Sequence, residues 1–382
     1  MEIVDKLQNR KDIVVILPTF NQYEATKKNI ELIKKQTLKI DIIIVDNNSS
    51  DDTFNKFKKE YEDIILINTG DNLGGSGGFY YGQKYAYDKN YNYIILNDND
   101  AYPYDEYLVE NLFKEVKKDV VPNGFNISDD FKKKYMINKL HWSIYSHNMI
   151  EAVGFVNKNY FIYGDDVDYG YRVEKLFIYK KILNAKYIHP MKTTFNLKML
   201  YFLYRNFIFL ELLYNQQKKM FFPNLITTYF FYKKISNNSK IIFKKVFKDI
   251  RNGILDNKSI FSMNIENDII FKKDNLNKFK RYGINDRFLI NKEKKFNGSL
   301  INKTVISHAP TIDFLYAKKY IYIKSIENNN VEYIEIKNNF FDVFLNIFKV
   351  IFFIIFIKLF LIVYRNKILM MVNYNNDGEN FD

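Results

Sequence analysis

Residues 40–53 read IDIIIVDNNSSDDT. The apolar run at 42–45 is short, β-branched and without polar alternation, the signature of a strand buried on both faces, as in a parallel sheet. Asp46 to Asp52 then form a polar turn with helix-capping residues, and a helical pattern follows. The same unit recurs on either side. Residues 13–17 (IVVIL) form a strand ending at Pro18, followed by helical periodicity over 24–36. Residues 64–67 (IILI) lead into NTGDNLGGSGGFYYG (68–82), a Gly-rich turn that opens a helix to about Tyr87. Residues 93–96 (YIIL) end in NDNDAYP. This alternation predicts an α/β fold with a mostly parallel sheet flanked by helices. In such sheets ligands bind beyond the carboxyl ends of the strands. The polar clusters at 46–52, 68–78 and 97–100 all fall there.

The 382-residue chain is long enough for two to three domains. It has no cysteine, which excludes disulfides, thiolate metal sites and thiol nucleophiles. The net charge of +13 is uneven: residues 1–190 hold 26 Lys/Arg against 28 Asp/Glu, and residues 191–382 hold 31 against 16. A near-neutral first half argues against a nucleic-acid partner. The opening MEIVDKLQNRKD is charged and lacks the apolar core of a secretory signal, so a cytoplasmic location is expected. Residues 196–215 predict an aromatic-rich helix and 319–337 a β-hairpin. The expected organisation is a catalytic domain over 1–250, an α+β accessory region over 251–338 and a hydrophobic helix and tail over 339–382. Residues 343–364 are apolar except for Asn346, Lys349 and Lys358, and they are long enough to span a bilayer. A single-pass or monotopic anchor at the inner face of the cell membrane is expected from them.

Four constellations carry chemistry. Asp98 and Asp100 follow a buried strand at i, i+2 and suit a hard divalent cation, Mn²⁺ or Mg²⁺, bridging a diphosphate. Asp165, Asp166 and Asp168 lie within four residues, so a cation or a raised pKa must relieve their repulsion, and one of them suits a general base. The loop Asn72–Gly78 lets backbone approach a ligand, and the helix start after it attracts anions. It follows the third strand, not the first, which excludes the dinucleotide fingerprint. Asp46 can accept from a base or ribose hydroxyl, or simply cap a helix. His189 is a candidate third metal ligand, and Trp142, the single tryptophan, suits stacking on a sugar or burial.

In order, PTFN (18–21), VDNNSSDDT, NLGGSGGFYYG, DND, FIYGDDVDYGYR, HP and YRN (204–206) resemble the family-2 glycosyltransferases of GT-A fold over roughly residues 12–215. The Gly-rich loop and the acidic motif most resemble the galactofuranosyltransferase branch, with rhamnosyltransferases close by. The resemblance implies that Pro18, Thr19 and Asp46 hold the base and ribose of a UDP- or dTDP-linked donor. It implies that Asn72, Gly74, Gly75 and Gly77 border the nucleotide-sugar. Asp98, Asp100 and His189 would hold the metal, with Asp98 also at the diphosphate. Asp166 would be the base, oriented by Asp165. Trp142, Asp168 and Arg172 would meet a glycan or lipid-linked acceptor. The chain departs from the pattern at Asn99, where relatives often have a third Asp, and at His141-Trp142, where relatives often have two Trp. A non-catalytic nucleotide-sugar-binding protein of the same fold is the alternative of a different class.

Overall fold

The computed structural model describes residues 1–127, 140–190, 196–214, 221–255, 257–265, 272–275, 294–295, 304–307, 319–327, 330–337 and 340–372. The chain divides into two compact units, Met1–Met191 with Val372–Asp382, and Lys192–Met371. The expected first domain ended at 250.

The first unit is a mixed α/β layer structure. Its strands are β1 (Glu2–Asp5), β2 (Ile13–Thr19), β3 (Asp41–Asp46), β4 (Ile65–Asn68), β5 (Tyr93–Leu96), β6 (Tyr102–Pro103), β7 (Val120–Asn126), β8 (Ser143–Ser146) and β9 (Ile178–Ile188). They form one nine-stranded sheet in the order β1-β4-β3-β2-β5-β8-β7-β9-β6. The strands β4, β3, β2 and β5 are parallel, as the alternation predicts. Sequence reading gave no account of β1, which pairs antiparallel on the outer edge of β4, or of β8, which runs antiparallel beside β5. The helices are α1 (Tyr23–Lys34), α2 (Thr53–Glu60), α3 (Gly74–Asp88), α4 (Leu108–Phe113), α5 (His147–Val153) and α6 (Asp165–Glu174).

Every residue of β2 and β3 is buried, which is why their sequences run apolar without alternation. The period of two divides them between faces. Val15, Leu17, Ile42 and Ile44 pack with Ile30 and Ile33 of α1 and Phe54 and Phe57 of α2. Val14, Ile16, Ile43 and Val45 pack with Phe79, Tyr85 and Ala86 of α3. On that second face the helix lies almost on the strands. A Cβ on Gly82 would stand 2.4 Å from Ile16 Cγ2, and one on Gly78 would stand 2.6 Å from Pro18 Cβ.

In the second unit, α7 (Leu200–Tyr214), α8 (Phe221–Ile235) and α9 (Asn238–Asn252) are followed by a five-stranded sheet and a long helix, α10 (Phe340–Val372). Tyr201 donates to Asp249 at 2.8 Å and Tyr204 meets Ser239 at 2.9 Å, tying α7 to α9. The expected hairpin at 319–337 is present as the antiparallel pair Lys319–Glu327 and Asn330–Lys337. Among the described residues no helix is long and apolar enough to cross a membrane. The stretch 343–364 expected to anchor the chain is described only in part, and Lys349 and Lys358 lie within it.

Candidate active site

The site is built around the turn that follows β5. Three buried amides strap it down. Asn29 of α1 donates through Nδ2 to the carbonyls of Asp98, Asn99 and Ala101 at 3.1–3.2 Å. Asn97 donates to the Ala101 carbonyl at 2.8 Å, and Asn99 donates to Gln22 Oε1 and Thr26 Oγ1 at 3.1 and 2.9 Å. Asn99 thus turns into the protein and is held there. Just past the turn, Tyr102 of β6 pairs with Ile188 of β9, which brings His189 to the turn across 89 residues of sequence.

His189 Nε2 lies 3.2 Å from Asp100 Oδ1 and 3.6 Å from Asp98 Oδ2. A second imidazole completes the group: His141 Nε2 lies 3.4 Å from Asp98 Oδ2, and the two rings are 4.7 Å apart. Ligand atoms of Asp98, His141 and His189 all fall within 4.8 Å of one another. One carboxylate and two imidazoles suit Mn²⁺ and other borderline cations better than Mg²⁺, which prefers oxygen alone. The expected set was Asp98, Asp100 and His189; in the structure His141 joins the cluster, and Asp100 meets it through His189. Burial pushes the His141 ring down in pKa and keeps it neutral, against the nearby Asp98 carboxylate. Its Nδ1 accepts from the Asp98 backbone N–H at 3.3 Å, so without a cation the ring proton belongs on Nε2, facing the Asp98 carboxylate. Coordination through Nε2 requires that proton to leave or move, and the same holds for His189, whose Nε2 faces the Asp98 and Asp100 carboxylates; Asp98 needs no such change.

The acidic motif opens α6. Phe161 and Tyr163, both at φ 64°, and Gly164 at φ 89° make the tight turn before it. Side chains at these positive angles are strained, a feature concentrated at functional sites. The turn places Asp165 and Asp166 in the first helical turn, where the helix dipole favours acids. Burial raises both carboxyl groups above the usual range. For Asp165 the charges of Asp166 and Asp98 add to burial and push it up to about 8. For Asp166, raised by burial and by Asp98, His141 acts in the opposite direction. These mutual influences put the start of α6 opposite the Asp98–His141–His189 cluster. Asp165 is buried and Asp166 half-buried, so Asp166 is the more accessible to a ligand.

The remaining predicted residues line the carboxyl ends of β2, β3 and β4. The Asp46 carboxylate accepts from the Ser49 backbone N–H at 3.0 Å and from the Ser49 hydroxyl, and burial raises its pKa. Thr19 Oγ1 is bonded to Thr26 Oγ1 at 2.8 Å, and Pro18 packs beneath Gly78. Asn72 Oδ1 accepts from the Gly74 N–H at 3.0 Å. Beside them Asn47 Oδ1 is buried without a partner, an acceptor at the strand ends that suits a polar donor group. The loop glycines divide. Gly74, at φ +70°, has no room for a side chain because a Cβ would lie 2.1 Å from the Phe161 carbonyl oxygen. A Cβ on Gly77 would lie 2.4 Å from Leu73 Cβ, while Gly75 faces open space within 4 Å. Only Gly75 of the three offers backbone to a ligand; Gly74 and Gly77 are packing glycines. The Ser76 N–H donates to the Phe161 carbonyl at 3.1 Å, so the Gly-rich loop and the turn before α6 are joined.

Three expected acceptor residues are placed differently. Trp142 is fully buried, and its Nε1–H donates to the Ala101 carbonyl at 3.1 Å; it supports the metal-side turn. Asp168 is buried and paired with Arg172 at 3.0 Å. Arg172 in turn donates to the carbonyls of Val153 and Phe155 at 2.9 and 2.8 Å, clamping α6 to the end of α5. Sequence reading missed the strap residue Asn29 and the placement of His141 in the cluster. For His141 a signal existed: it is one of four histidines and adjoins the single tryptophan.

Residues 14–166 match the family model described as Glycosyl transferase family 2, and that stretch is a glycosyltransferase domain. No curated protein matches the sequence. Among solved structures, a mannosyltransferase from Pyrobaculum calidifontis, in complex with GDP-Man and Mn²⁺, is 13% identical, with 64% of this chain and 76% of that one covered and a TM-score of 0.45. TarS 1-349 of S. aureus is 13% identical, with 63% and 80% covered and a TM-score of 0.44. Glucosyl-3-phosphoglycerate synthase from Mycobacterium tuberculosis, with Mn²⁺, UDP and phosphoglyceric acid, is 14% identical, with 49% and 72% covered and a TM-score of 0.37.

Proposed function

We propose, with the family-2 glycosyltransferase domain as premise, that the protein transfers a hexosyl group from a nucleotide-diphosphate sugar to a hydroxyl of a glycan or lipid-linked acceptor, with inversion. The observation that carries this reading is the meeting of two kinds of group. Carboxyls with raised pKa at the start of α6 face a one-carboxylate, two-imidazole cluster at the end of β5.

The roles divide by environment. Burial and the charges of Asp166 and Asp98 favour the neutral form of Asp165, whereas His141 favours the ionised form of Asp166 and suits it to the role of base. Asp166 takes the proton of the acceptor hydroxyl as its oxygen attacks the anomeric carbon. The bond from that carbon to the diphosphate oxygen breaks, and the electron pair departs with the diphosphate. A divalent cation on Asp98, His189 and His141 would supply charge neutralisation for that leaving group. Asn29, Asn97 and Trp142 keep the turn that carries Asp98 from shifting. Asp46, Asn47 and Gly75 border the donor side. The motifs FIYGDDVDYGYR and NLGGSGGF favour galactofuranose as the sugar, with rhamnose second, on UDP or dTDP.

The test is a panel of nucleotide-sugars, beginning with UDP-galactofuranose, assayed for binding and transfer with the wild type and Asp166→Asn. The expected outcome is donor binding by both and transfer by the wild type alone, lost in EDTA and restored by Mn²⁺. Turnover by Asp166→Asn removes the base assignment; full turnover in EDTA removes the metal role.

A further inference from the structure

Within the second unit, α9 and α10 meet along a row of aromatic rings. Phe247 lies 5.2 Å from Phe356 and 4.4 Å from Phe360, centroid to centroid, and Phe360 lies 4.6 Å from Tyr364. These rings wall a cavity of about 610 Å³ whose other side is cationic: Lys244, Lys248 and Arg251. The three cations fall at i, i+4 and i+7, one face of α9, and all are exposed. Neighbouring Lys245 is paired with Asp249 at 2.8 Å; among the described residues no carboxylate pairs with Lys244, Lys248 or Arg251.

The apolar wall continues outward. On α10, Phe352, Ile355, Leu359 and Ile362 recur at spacings of three and four and are 69, 50, 58 and 72% exposed. A contiguous exposed stripe of this kind marks an interaction surface. Its occupant must accept hydrocarbon contact along α10 and bring negative charge to α9. A second copy offers the hydrocarbon but not the negative charge, because residues 191–382 carry 31 Lys/Arg against 16 Asp/Glu and two such faces repel. An anionic bilayer supplies both.

We propose that α9 and α10 dock this chain on an anionic lipid bilayer, with a headgroup phosphate on Lys244, Lys248 and Arg251 and hydrocarbon against the aromatic wall and the Phe352–Ile362 stripe. The contact is interfacial, and it does not depend on the glycosyl-transfer reading.

The test is flotation of the full chain with vesicles of phosphatidylcholine alone and of phosphatidylcholine with about one third phosphatidylglycerol. Binding is expected only to the anionic vesicles and should weaken with salt. Each basic side chain near an anionic leaflet contributes about fivefold, so Lys244→Gln/Lys248→Gln/Arg251→Gln should bind about a hundredfold more weakly. Leu359→Ser/Ile362→Ser should also lose affinity with every charge kept. Lys35→Gln/Lys59→Gln/Lys118→Gln, three exposed lysines of the first unit, should bind like the wild type. Equal loss in that control reduces the effect to net charge and overturns the proposal. So does equal binding to neutral vesicles, or no binding to either kind. Competition by inorganic phosphate at constant ionic strength would make the cations a soluble-anion site instead. A dimer that Leu359→Ser/Ile362→Ser dissolves, without vesicle binding, would assign the stripe to a second copy. No arm uses a sugar donor, so failure here leaves the transfer reading standing.

Discussion

Replacing Asp165 with Asn should make the metal-free protein more stable as pH rises, and the size follows from burial. Asp165 is 8% exposed and its carboxyl is pushed from 3.8 to about 8. Between those values the folded protein holds a proton that the unfolded chain has released. Unfolding free energy therefore falls with rising pH, by about 1.4 kcal/mol per pH unit for one group. The sign is that of an acid raised by folding: no penalty below the unfolded value, a growing one from about pH 4 to 8, and a constant one above. At pH 7 the wild type carries a penalty of about 4 kcal/mol, an upper bound because Asp165 and Asp166 titrate together. Asparagine keeps the shape and cannot ionise. In EDTA-treated samples the gap between Asp165→Asn and wild type should widen from pH 5 to pH 8. At pH 7 it should reach up to about 8–16 °C in melting temperature for a unit of this size. Mn²⁺ should narrow the gap, because a nearby cation favours the ionised pair. Parallel melting curves for the two proteins, or a variant less stable at every pH, would refute the reasoning. Either result would place an ionised, well-satisfied carboxylate at position 165.

Two further outcomes separate roles at the site. His189→Ala should weaken Mn²⁺ binding at least about 100-fold, read as free Mn²⁺ by electron paramagnetic resonance, since even partners one shell further out cost 10–100-fold. Undiminished Mn²⁺ binding would remove His189 from the cluster. Trp142→Phe removes one of three bonds to the buried Ala101 carbonyl and leaves a cavity where the larger ring was fully buried, so stability should fall by about 1–3 kcal/mol and kcat should fall with acceptor KM unchanged. A raised acceptor KM at constant melting temperature would return Trp142 to the acceptor.

The central strands were legible because burial on both faces leaves a plain local mark. IVVIL, DIIIV, IILI and YIIL are each too apolar and too short to be anything else beside their polar turns. β1 left little trace: Glu2–Asp5 is only partly buried at a sheet edge, so its sequence is not forced to be apolar. The acids of the site were legible because like charges crowded at i, i+1 and i+3 need a reason. Their surroundings were not, since these depend on contacts across 43 and 89 residues that no spacing records. The glycines and Trp142 show one ambiguity from two directions. A residue that lets a ligand approach and a residue that lets a helix lie on a sheet are both glycine. A ring that stacks on a sugar and a ring that fills a core are both tryptophan.

The strained and the rigid parts of the site explain each other. Asp98, Asp165 and Asp166 raise one another's energy in a largely buried space, and the turn before α6 adds left-handed backbone at Phe161 and Tyr163. Left alone, such a cluster would relax by moving apart. Two sets of bonds prevent it. The β5 turn is strapped by Asn29, Asn97, Asn99 and Trp142, and α6 is clamped through Asp168 and Arg172 to the end of α5. Between them, the Gly-rich loop is fastened to the Phe161 carbonyl. Trp142, Asp168 and Arg172 thus help to keep three carboxyl groups close. That is the arrangement a cation and a reacting hydroxyl require, because each relieves a repulsion that the scaffold has already held in place.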